Sequence, residues 1–344
     1  MTQIKKYRWL FVMLIGYNAL FFGSSMLVYL GKNAAYILAA AGASVSLILY
    51  SFLYSDKIFN FICNSEKTSR FFSFIISLVA LISCVATVCY SCESIGVSFL
   101  KKSPFVYVLS FVIFATICAS FFGIKPVSRY AFVSGIAIFA GVIVLAFLFS
   151  DKYDTNNLYP LFGTASPRGV LYSVFLFSNI VYLYPVIWKE KGDRVRIGSE
   201  TRKIILISGA LIVLVCALYN MYTPYVAIDD IQNPILAVAS SVDFDILFER
   251  CEVVVLVMWI FASFISPSAL FTFFLDNFSY SVNLADKKAM IKSGALVIYA
   301  ASLICDKFLF HEYLYMISLV LTFLVSVIIP VISFIMYCAS EVNK

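Results

Sequence analysis

The sequence predicts an all-α integral membrane protein with about ten transmembrane helices. Of its 344 residues, 62% are hydrophobic and only 13% are charged, whereas a soluble domain is typically about 45–50% apolar and about 25% charged. A globule of this length has too little polar surface to shield so much apolar surface from water. The basic residues also cluster between long apolar runs, as in chains that cross a bilayer repeatedly.

Ten apolar runs are candidates for spans, each of which needs about 20 mostly apolar residues. The first follows a basic start and precedes no small-residue cleavage site, so we expect a mature helix rather than a signal peptide. The ninth is the shortest, and charged residues flank it closely. The predicted spans are 9–30, 34–54, 71–92, 104–122, 130–150, 169–188, 204–222, 253–275, 293–305 and 313–338.

The distribution of Lys and Arg predicts that the N-terminus is cytoplasmic. With ten alternating spans, 18 of the 25 basic residues fall on the side of the N-terminus and 7 fall on the other side. Cytoplasmic loops carry such an excess. The net charge of +6 therefore reflects orientation in the bilayer and not binding of nucleic acid. Neither a linker nor a soluble domain interrupts the pattern, so residues 1–344 are predicted to form a single polytopic domain.

Residues that carry catalysis or bind metals are scarce. The sequence has one histidine and lacks the zinc-protease, nucleophile-elbow and phosphate-loop motifs. We therefore expect no enzyme activity, no cofactor and no metal site. Cys89 and Cys92 share one face of a predicted helix, and we interpret them as small packing residues because Cys in an apolar run behaves as a small hydrophobe.

Helix one contains a candidate binding segment at Gly23, Ser24 and Ser25, in GYNALFFGSSMLV. Glycine and serine at mid-membrane can loosen a helix, and the freed backbone groups can then hold an amino group, a carboxylate or a cation. We expect a non-helical break within residues 22–25. A second interpretation stays open, in which the small residues form a packing notch for a neighbouring helix.

Two other helices carry polar groups that the bilayer disfavours. Glu93 lies at the outer end of helix three, where it is either a ligand-binding group or a solvated helix end. Ser178 and Asn179 form a polar pair in the middle of helix six, and Asn179 alone is also explained by an interhelical hydrogen bond. Polar breaks at corresponding positions in two halves of a chain are typical of transporter binding sites.

These features resemble a known family. Ten helices with a small-residue break in helix one resemble the amino acid–polyamine–cation transporter superfamily, with its five-plus-five inverted repeat and its broken helices one and six. More narrowly, the chain resembles the spore germination permeases, the B subunits of germinant receptors. The matching stretches are GIKPVSR at 123–129, NLYPLFG at 157–163 and FERCEVVVLVMWIFASF at 248–264.

Two departures from the family pattern stand out. The family usually has a glutamate just after a Phe-Gly in helix six, whereas FLFSN places Asn179 near that position. The arginine motif of helix eight reads Arg-Cys-Glu where Arg-hydrophobic-Asp is usual. The missing helix-six carboxylate puts ion coupling in doubt and affects ligand binding less.

The resemblance implies a germinant-sensing subunit in the inner spore membrane, beside an A subunit and a lipoprotein C subunit. It implies that a small nutrient, often an amino acid, binds at mid-membrane between helices one and six, with helices three and eight as walls. A secondary transporter of small solutes and a scaffold that binds no small molecule are the alternatives. Carried over to this sequence, the ligand-binding positions are Gly23, Ser24, Ser25, Tyr90, Glu93, Phe177, Ser178, Asn179, Trp259 and Ser263.

Arg250 is predicted to belong to an external gate. It precedes helix eight, where a cation opposes the helix dipole. We therefore expect a carboxylate partner for it, either in its own loop (Asp243 or Asp245) or at Glu93. The alternative is a solvated arginine at the membrane interface.

Overall fold

A computed structural model describes most of the chain, and every regular element in the described ranges is helical. A helix pairs its own backbone N–H and C=O groups, which the bilayer demands because it offers no water to hydrogen-bond them. The residues described are 7–19, 23–56, 65–98, 100, 102–148, 150, 153–159, 166–188, 197–222, 251–284, 287–308 and 311–342.

These residues form twelve α-helices and three short 3-10 segments. The α-helices are α1 (Arg8–Tyr17), α2 (Gly23–Gly31), α3 (Ala35–Leu53), α4 (Glu66–Ser98), α5 (Phe105–Phe122), α6 (Ile124–Leu148), α7 (Arg168–Leu176), α8 (Leu183–Trp188), α9 (Ile197–Tyr222), α10 (Cys251–Val282), α11 (Ala289–Lys307) and α12 (His311–Val342). The 3-10 segments are Lys32–Ala34, Thr155–Leu158 and Phe177–Tyr182.

Seven of the described helical stretches are long and apolar enough to cross a bilayer. They include α11, the counterpart of the short ninth run, which reaches 19 residues because the helix continues through the charged residues that flank the run. The three remaining predicted spans correspond to α10 and to the interrupted segments α1–α2 and α7–α8. The predicted count of ten is compatible with this arrangement.

The helices pack around a central pair and present apolar side chains outward. α4 and α10 share the most extensive interface among the described helices. A Cβ atom at Gly42 on α3 would overlap the Ser173 side chain on α7, so the glycine allows these two helices to approach closely. Outward-facing aromatic side chains on α5 and α6, all more than half exposed, suit contact with lipid: Tyr107, Phe111, Phe114, Phe122 and Phe147.

Helix one departs from the α-helical pattern before the predicted segment. The helix α1 ends at Tyr17, Asn18 and Ala19 form a π-type turn, and residues 23–31 are α-helical again. Gly23, Ser24 and Ser25 belong to α2, so the predicted unwinding of these three residues is wrong, and Phe22 lies outside the described residues. We call the turn at Asn18 and Ala19 the first interruption.

Helix six is broken at the predicted polar pair. α7 gives way to the 3-10 segment Phe177–Tyr182, which contains Ser178 and Asn179, before α8 begins at Leu183. Pro185 explains part of this change, because a proline has no N–H to donate to a carbonyl one turn earlier and is tolerated in the first turn of a helix. We call Phe177–Tyr182 the second interruption.

Candidate functional site

The two interrupted segments pack against each other in the interior of the protein. α1 contacts the second interruption, and α2 contacts α7. The described parts of helices one and six therefore meet at this place. Both segments depart from α-helical hydrogen bonding, at Asn18–Ala19 and at Phe177–Tyr182, which supplies polar backbone groups at membrane depth. We call the region around both interruptions the central site.

Asn18, in the first interruption, is bonded from two distant helices. Ser266 Oγ on α10 donates to Asn18 Oδ1 at 3.4 Å, and the Tyr315 hydroxyl on α12 donates to the Asn18 carbonyl at 3.2 Å. Asn18 is only 2% exposed, so water does not readily reach these groups. The two bonds satisfy polar groups that the interruption of helix one places in the membrane interior.

Tyrosine side chains form one wall of the central site. The Tyr17 hydroxyl lies 3.2 Å from Ser91 Oγ on α4, and Ser91 itself donates to the Thr87 carbonyl, so Tyr17 is the donor. The ring of Tyr90, also on α4, lies 5.6 Å from the ring of Tyr315. Neutral hydroxyls and aromatic faces from α1, α4 and α12 thus meet here, a surface suited to a small polar ligand.

The second interruption contributes a donor that has no acceptor. Phe177, Ser178 and Asn179 are all buried. Ser178 Oγ donates to the Phe175 carbonyl at 2.6 Å, so its hydroxyl hydrogen is used within its own segment. Asn179 Nδ2, by contrast, is buried without a hydrogen-bond partner among the described residues. An unsatisfied buried amide costs about 1–3 kcal/mol, so a ligand that accepts a hydrogen bond here recovers that energy.

A hydroxyl chain fixes the end of the second interruption. The Tyr182 hydroxyl donates to Ser83 Oγ at 3.2 Å, and Ser83 Oγ lies 3.2 Å from Thr322 Oγ1. Thr322 in turn donates to the Ser318 carbonyl at 2.6 Å. The chain links helix six to α4 and α12.

Aromatic rings close the central site on the α1 side. Phe273 on α10 stacks on both Phe11 of α1 and Tyr182, with ring centroids 5.8 Å and 5.4 Å apart. All three side chains are almost fully buried. Aromatic pairs at these separations are stabilising beyond the burial of their surface. The stack therefore packs α1, α10 and the second interruption together.

An ion pair anchors the far end of α1. Arg8 Nε and a second guanidinium nitrogen donate to the two carboxylate oxygens of Glu200 on α9, at 2.8 Å and 3.0 Å. The Glu200 side chain is only 5% exposed and the Arg8 side chain is 24% exposed. Glu200 lies in the first turn of α9, where the helix dipole favours a carboxylate. α1 is thus held at both ends.

A family model for spore germination proteins matches residues 37–308, well over half of the chain. The chain belongs to the spore germination protein family. The match begins in α3 and ends just after α11, so it includes the second interruption and α4. The resemblance predicted from short sequence stretches is thereby confirmed.

Solved transporter structures share the fold of this family member. One is Mhp1, a nucleobase-cation-symport-1 family transporter solved in a closed conformation with bromovinylhydantoin bound. The match covers 95% of this chain and 92% of Mhp1, with a TM-score of 0.58 and 10% sequence identity. A manganese transporter of Eremococcus coleocola has a TM-score of 0.54 at 13% identity over 97% of this chain and 78% of the transporter. Such low identities establish the fold alone. No curated protein sequence is significantly similar to the chain.

The comparisons confirm the predicted class: a multi-pass membrane protein of a spore germination family with a transporter-like fold. Of the predicted ligand positions, Tyr90 and Ser263 lie on α4 and α10, two helices that border the central site, with Tyr90 half-buried and Ser263 fully buried. Glu93 lies one turn beyond Tyr90 and is half-buried. Pro267 has no N–H to donate to the Ser263 carbonyl four residues earlier, which frees that oxygen.

Other predicted positions fall wholly or partly outside the described residues. Arg250 lies outside them, so its role as a gate stays a prediction. Trp259 lies on α10, but its side chain is outside the described set, as are the side chains of Ser24 and Ser25. The backbone of Gly23 and these two serines is α-helical.

Sequence reasoning missed three residues of the central site: Asn18, Ser266 and Tyr315. Asn18 carried a usable signal, since a carboxamide inside an apolar span needs partners for its donor and acceptor groups. It stands five positions before Gly23 in the segment already singled out. Ser266 and Tyr315 carried no such sequence signal, because buried serines and tyrosines occur throughout the other helices of this chain.

Proposed function

We propose that this protein is the membrane-embedded, ligand-sensing subunit of a spore nutrient receptor. A small nutrient such as an amino acid binds at the central site and triggers germination. The observation that carries the proposal is Asn179 Nδ2, a buried donor without an acceptor in the interruption of helix six. The chain acts by binding and not by catalysis.

An amino acid fits the polar groups around both interruptions. Its carboxylate accepts a hydrogen bond from Asn179 Nδ2. Its ammonium group is placed toward acceptors, namely the Ser263 carbonyl and the Glu93 carboxylate. The tyrosines and Phe177 contact the side chain of the nutrient. The predicted set of ligand residues is thus retained, with Asn18, Tyr17 and Tyr315 added.

The remaining parts of the proposal concern partners and placement. As the resemblance implies, the subunit lies in the inner spore membrane with receptor A and C subunits, and its N-terminus is cytoplasmic. The excess of basic residues on the side of the N-terminus supports this orientation. Single cysteines that replace Arg194 or Arg202, the latter exposed on α9, should react with a membrane-impermeant maleimide only from the cytoplasmic side. Labelling from outside would overturn the orientation.

A thermal-shift screen of the purified protein against amino acids and nucleosides tests the binding proposal. A ligand at about 100 times its Kd stabilises the folded state by about 2.7 kcal/mol, which raises Tm measurably. Asn179→Asp keeps the shape of the side chain but replaces the donor with an acceptor. The ligand-induced shift should then disappear, while Thr116→Val on α5, away from the site, should retain it. An unchanged shift in Asn179→Asp would refute the assignment of this residue.

A secondary transporter of small solutes is the second candidate. The observation that favours it is the fold shared with Mhp1 over 92% of that transporter. Uptake of the identified ligand into proteoliposomes distinguishes the two candidates. A sensor binds the ligand and accumulates none of it, whereas a transporter accumulates it. Deletion of the gene in spores gives the complementary result, because loss of the sensor abolishes germination in response to that ligand.

A further inference from the structure

An open groove lies between α5, α6 and α10, away from the central site. Its volume is about 170 Å³. One wall is formed by two small side chains that lie one turn apart on α5, Ala115 and Ala119. The other wall is formed by Pro126 and Tyr130, which lie one turn apart on α6. Phe264 and Ser268 of α10 close it from behind. The groove therefore lies between three helices.

The chemistry of the groove matches a hydrocarbon chain. Its lining is almost wholly apolar, and its edge is formed by Phe122 and Pro126, which are exposed on the outer surface of the helices. A closed apolar cavity of about 150 Å³ stays dry and binds a molecule the size of benzene. A groove of this size that opens toward lipid therefore holds several methylene groups of an acyl chain.

Two cations stand beside the groove. Lys125 and Arg129 are both exposed and lie one helical turn apart on α6, next in sequence to the groove-lining Pro126 and Tyr130. Neither makes an ion pair with any other residue that the structure describes. Both belong to the stretch GIKPVSR, which the central site does not use.

The start of α6 adds to the positive potential. Gly123 has φ of 79°, a left-handed conformation that glycine adopts without strain, and it turns the chain sharply from α5 into α6. The first amides of α6 have no acceptor within their own helix, and Lys125 is the second residue of that helix. Backbone N–H groups and basic side chains together form the usual setting for a phosphate group.

We propose that this groove binds one anionic phospholipid, with an acyl chain between α5, α6 and α10 and the headgroup phosphate on Lys125 and Arg129. These residues lie at the membrane end that we propose to be cytoplasmic, and basic pockets between helices on that side bind anionic headgroups. The apolar groove binds the acyl chain, and the two basic side chains bind the phosphate of the same phospholipid. The lipid also packs on α10, the helix that supplies Ser266 to the central site.

Native mass spectrometry of the whole protein in detergent tests the proposal, with phosphatidylglycerol and phosphatidylcholine as probes. The wild-type protein should retain one phosphatidylglycerol molecule and little phosphatidylcholine. Lys125→Gln with Arg129→Gln should reduce retention of phosphatidylglycerol by about 10-fold to 30-fold, since each basic residue near the surface adds to the attraction. Both residues are exposed, so folding should be unaffected.

Two further variants separate the groove from general charge effects. Ala119→Leu fills the groove and keeps both charges, so it should also lower retention of phosphatidylglycerol. Lys67→Gln with Arg202→Gln removes two exposed charges from α4 and α9 and should leave retention unchanged. The proposal is wrong if the Lys125 and Arg129 double variant retains lipid as the wild type does. It is equally wrong if Ala119→Leu has no effect or if the control pair causes the same loss.

Discussion

The two interruptions satisfy their polar groups in different ways. In the first, Asn18 accepts hydrogen bonds from Ser266 on α10 and Tyr315 on α12. In the second, Ser178 bonds within its own segment, and the donor of Asn179 has no acceptor in the described part of the chain. The fold itself therefore satisfies both oxygens of Asn18, whereas it leaves the donor of Asn179 unsatisfied for the ligand that we propose.

This difference separates stability from binding. Substitutions around the first interruption should lower the free energy of unfolding even without ligand. Substitution of Asn179 should leave the free protein intact and remove the response to ligand. The aromatic stack of Phe11, Phe273 and Tyr182 joins the two regions through packed rings.

The largest effect on stability is expected at the anchor of α1. Glu200→Ala leaves Arg8 without its partner at a site where the carboxylate is only 5% exposed. Breaking a buried ion pair lowers the free energy of unfolding by roughly 3–5 kcal/mol. Because Arg8 is partly exposed, we expect a loss near the lower end of that range. Thermal unfolding in detergent measures this loss.

Glu66→Ala is the matched control for the anchor. Glu66 also pairs with an arginine, Arg70, at 2.8 Å, but both side chains are more than a third exposed. An exposed pair contributes about 0.2–1 kcal/mol, so this variant should unfold almost as the wild type does. Equal losses in the two variants would show that α1 is not clamped through Glu200.

The same substitution at the two asparagines tests the comparison directly. Asn18→Leu removes the acceptor of Ser266 from a fully packed region and should cost about 1–3 kcal/mol of stability. Asn179→Leu removes a donor that has no acceptor, so the free protein should be unchanged or slightly more stable. Its ligand-induced rise in Tm should vanish. The comparison fails if both variants lose stability equally in the absence of ligand.

The sequence predicts the spans and the break in helix six because both depend on local chemistry. Apolar length is set by the thickness of the bilayer, and the polar pair Ser178-Asn179 is conspicuous in an apolar helix. The predicted break at residues 22–25 differs from the described π-type turn at Asn18 and Ala19, since Gly23 and the two serines are α-helical. Small residues are compatible with a helix and with a break, and only hydrogen bonding distinguishes the two.

The partners of the first interruption were beyond reach of the sequence for a different reason. Ser266 and Tyr315 lie 248 and 297 positions from Asn18 along the chain. Which face of α10 or α12 turns toward helix one depends on the packing of the whole bundle, and the apolar pattern of a buried membrane helix is nearly uniform around its axis. The resemblance to a known family identified the helices concerned, but not these side chains.

The smallest effect is expected at Tyr315, whose hydroxyl donates to the Asn18 carbonyl at 3.2 Å. Hydrogen bonds between membrane helices average about 0.6 kcal/mol. The stability lost in Tyr315→Phe should be slightly larger, about 1 kcal/mol, because the variant leaves the buried Asn18 carbonyl without this donor. The ring contact with Tyr90 is kept, so the packing of α12 on α4 should not change.

Tyr299→Phe provides the reference for that measurement. The Tyr299 hydroxyl lies 3.4 Å from Ser110 Oγ, and Ser110 is exposed, so loss of this contact should be close to neutral. Tyr315→Phe should therefore have a lower Tm than Tyr299→Phe. In an Asn18→Leu background, Tyr315→Phe should still cause most of this loss of stability, because Tyr315 bonds the backbone of residue 18 and not its side chain. If Tyr315→Phe matches Tyr299→Phe, α12 does not complete the first interruption.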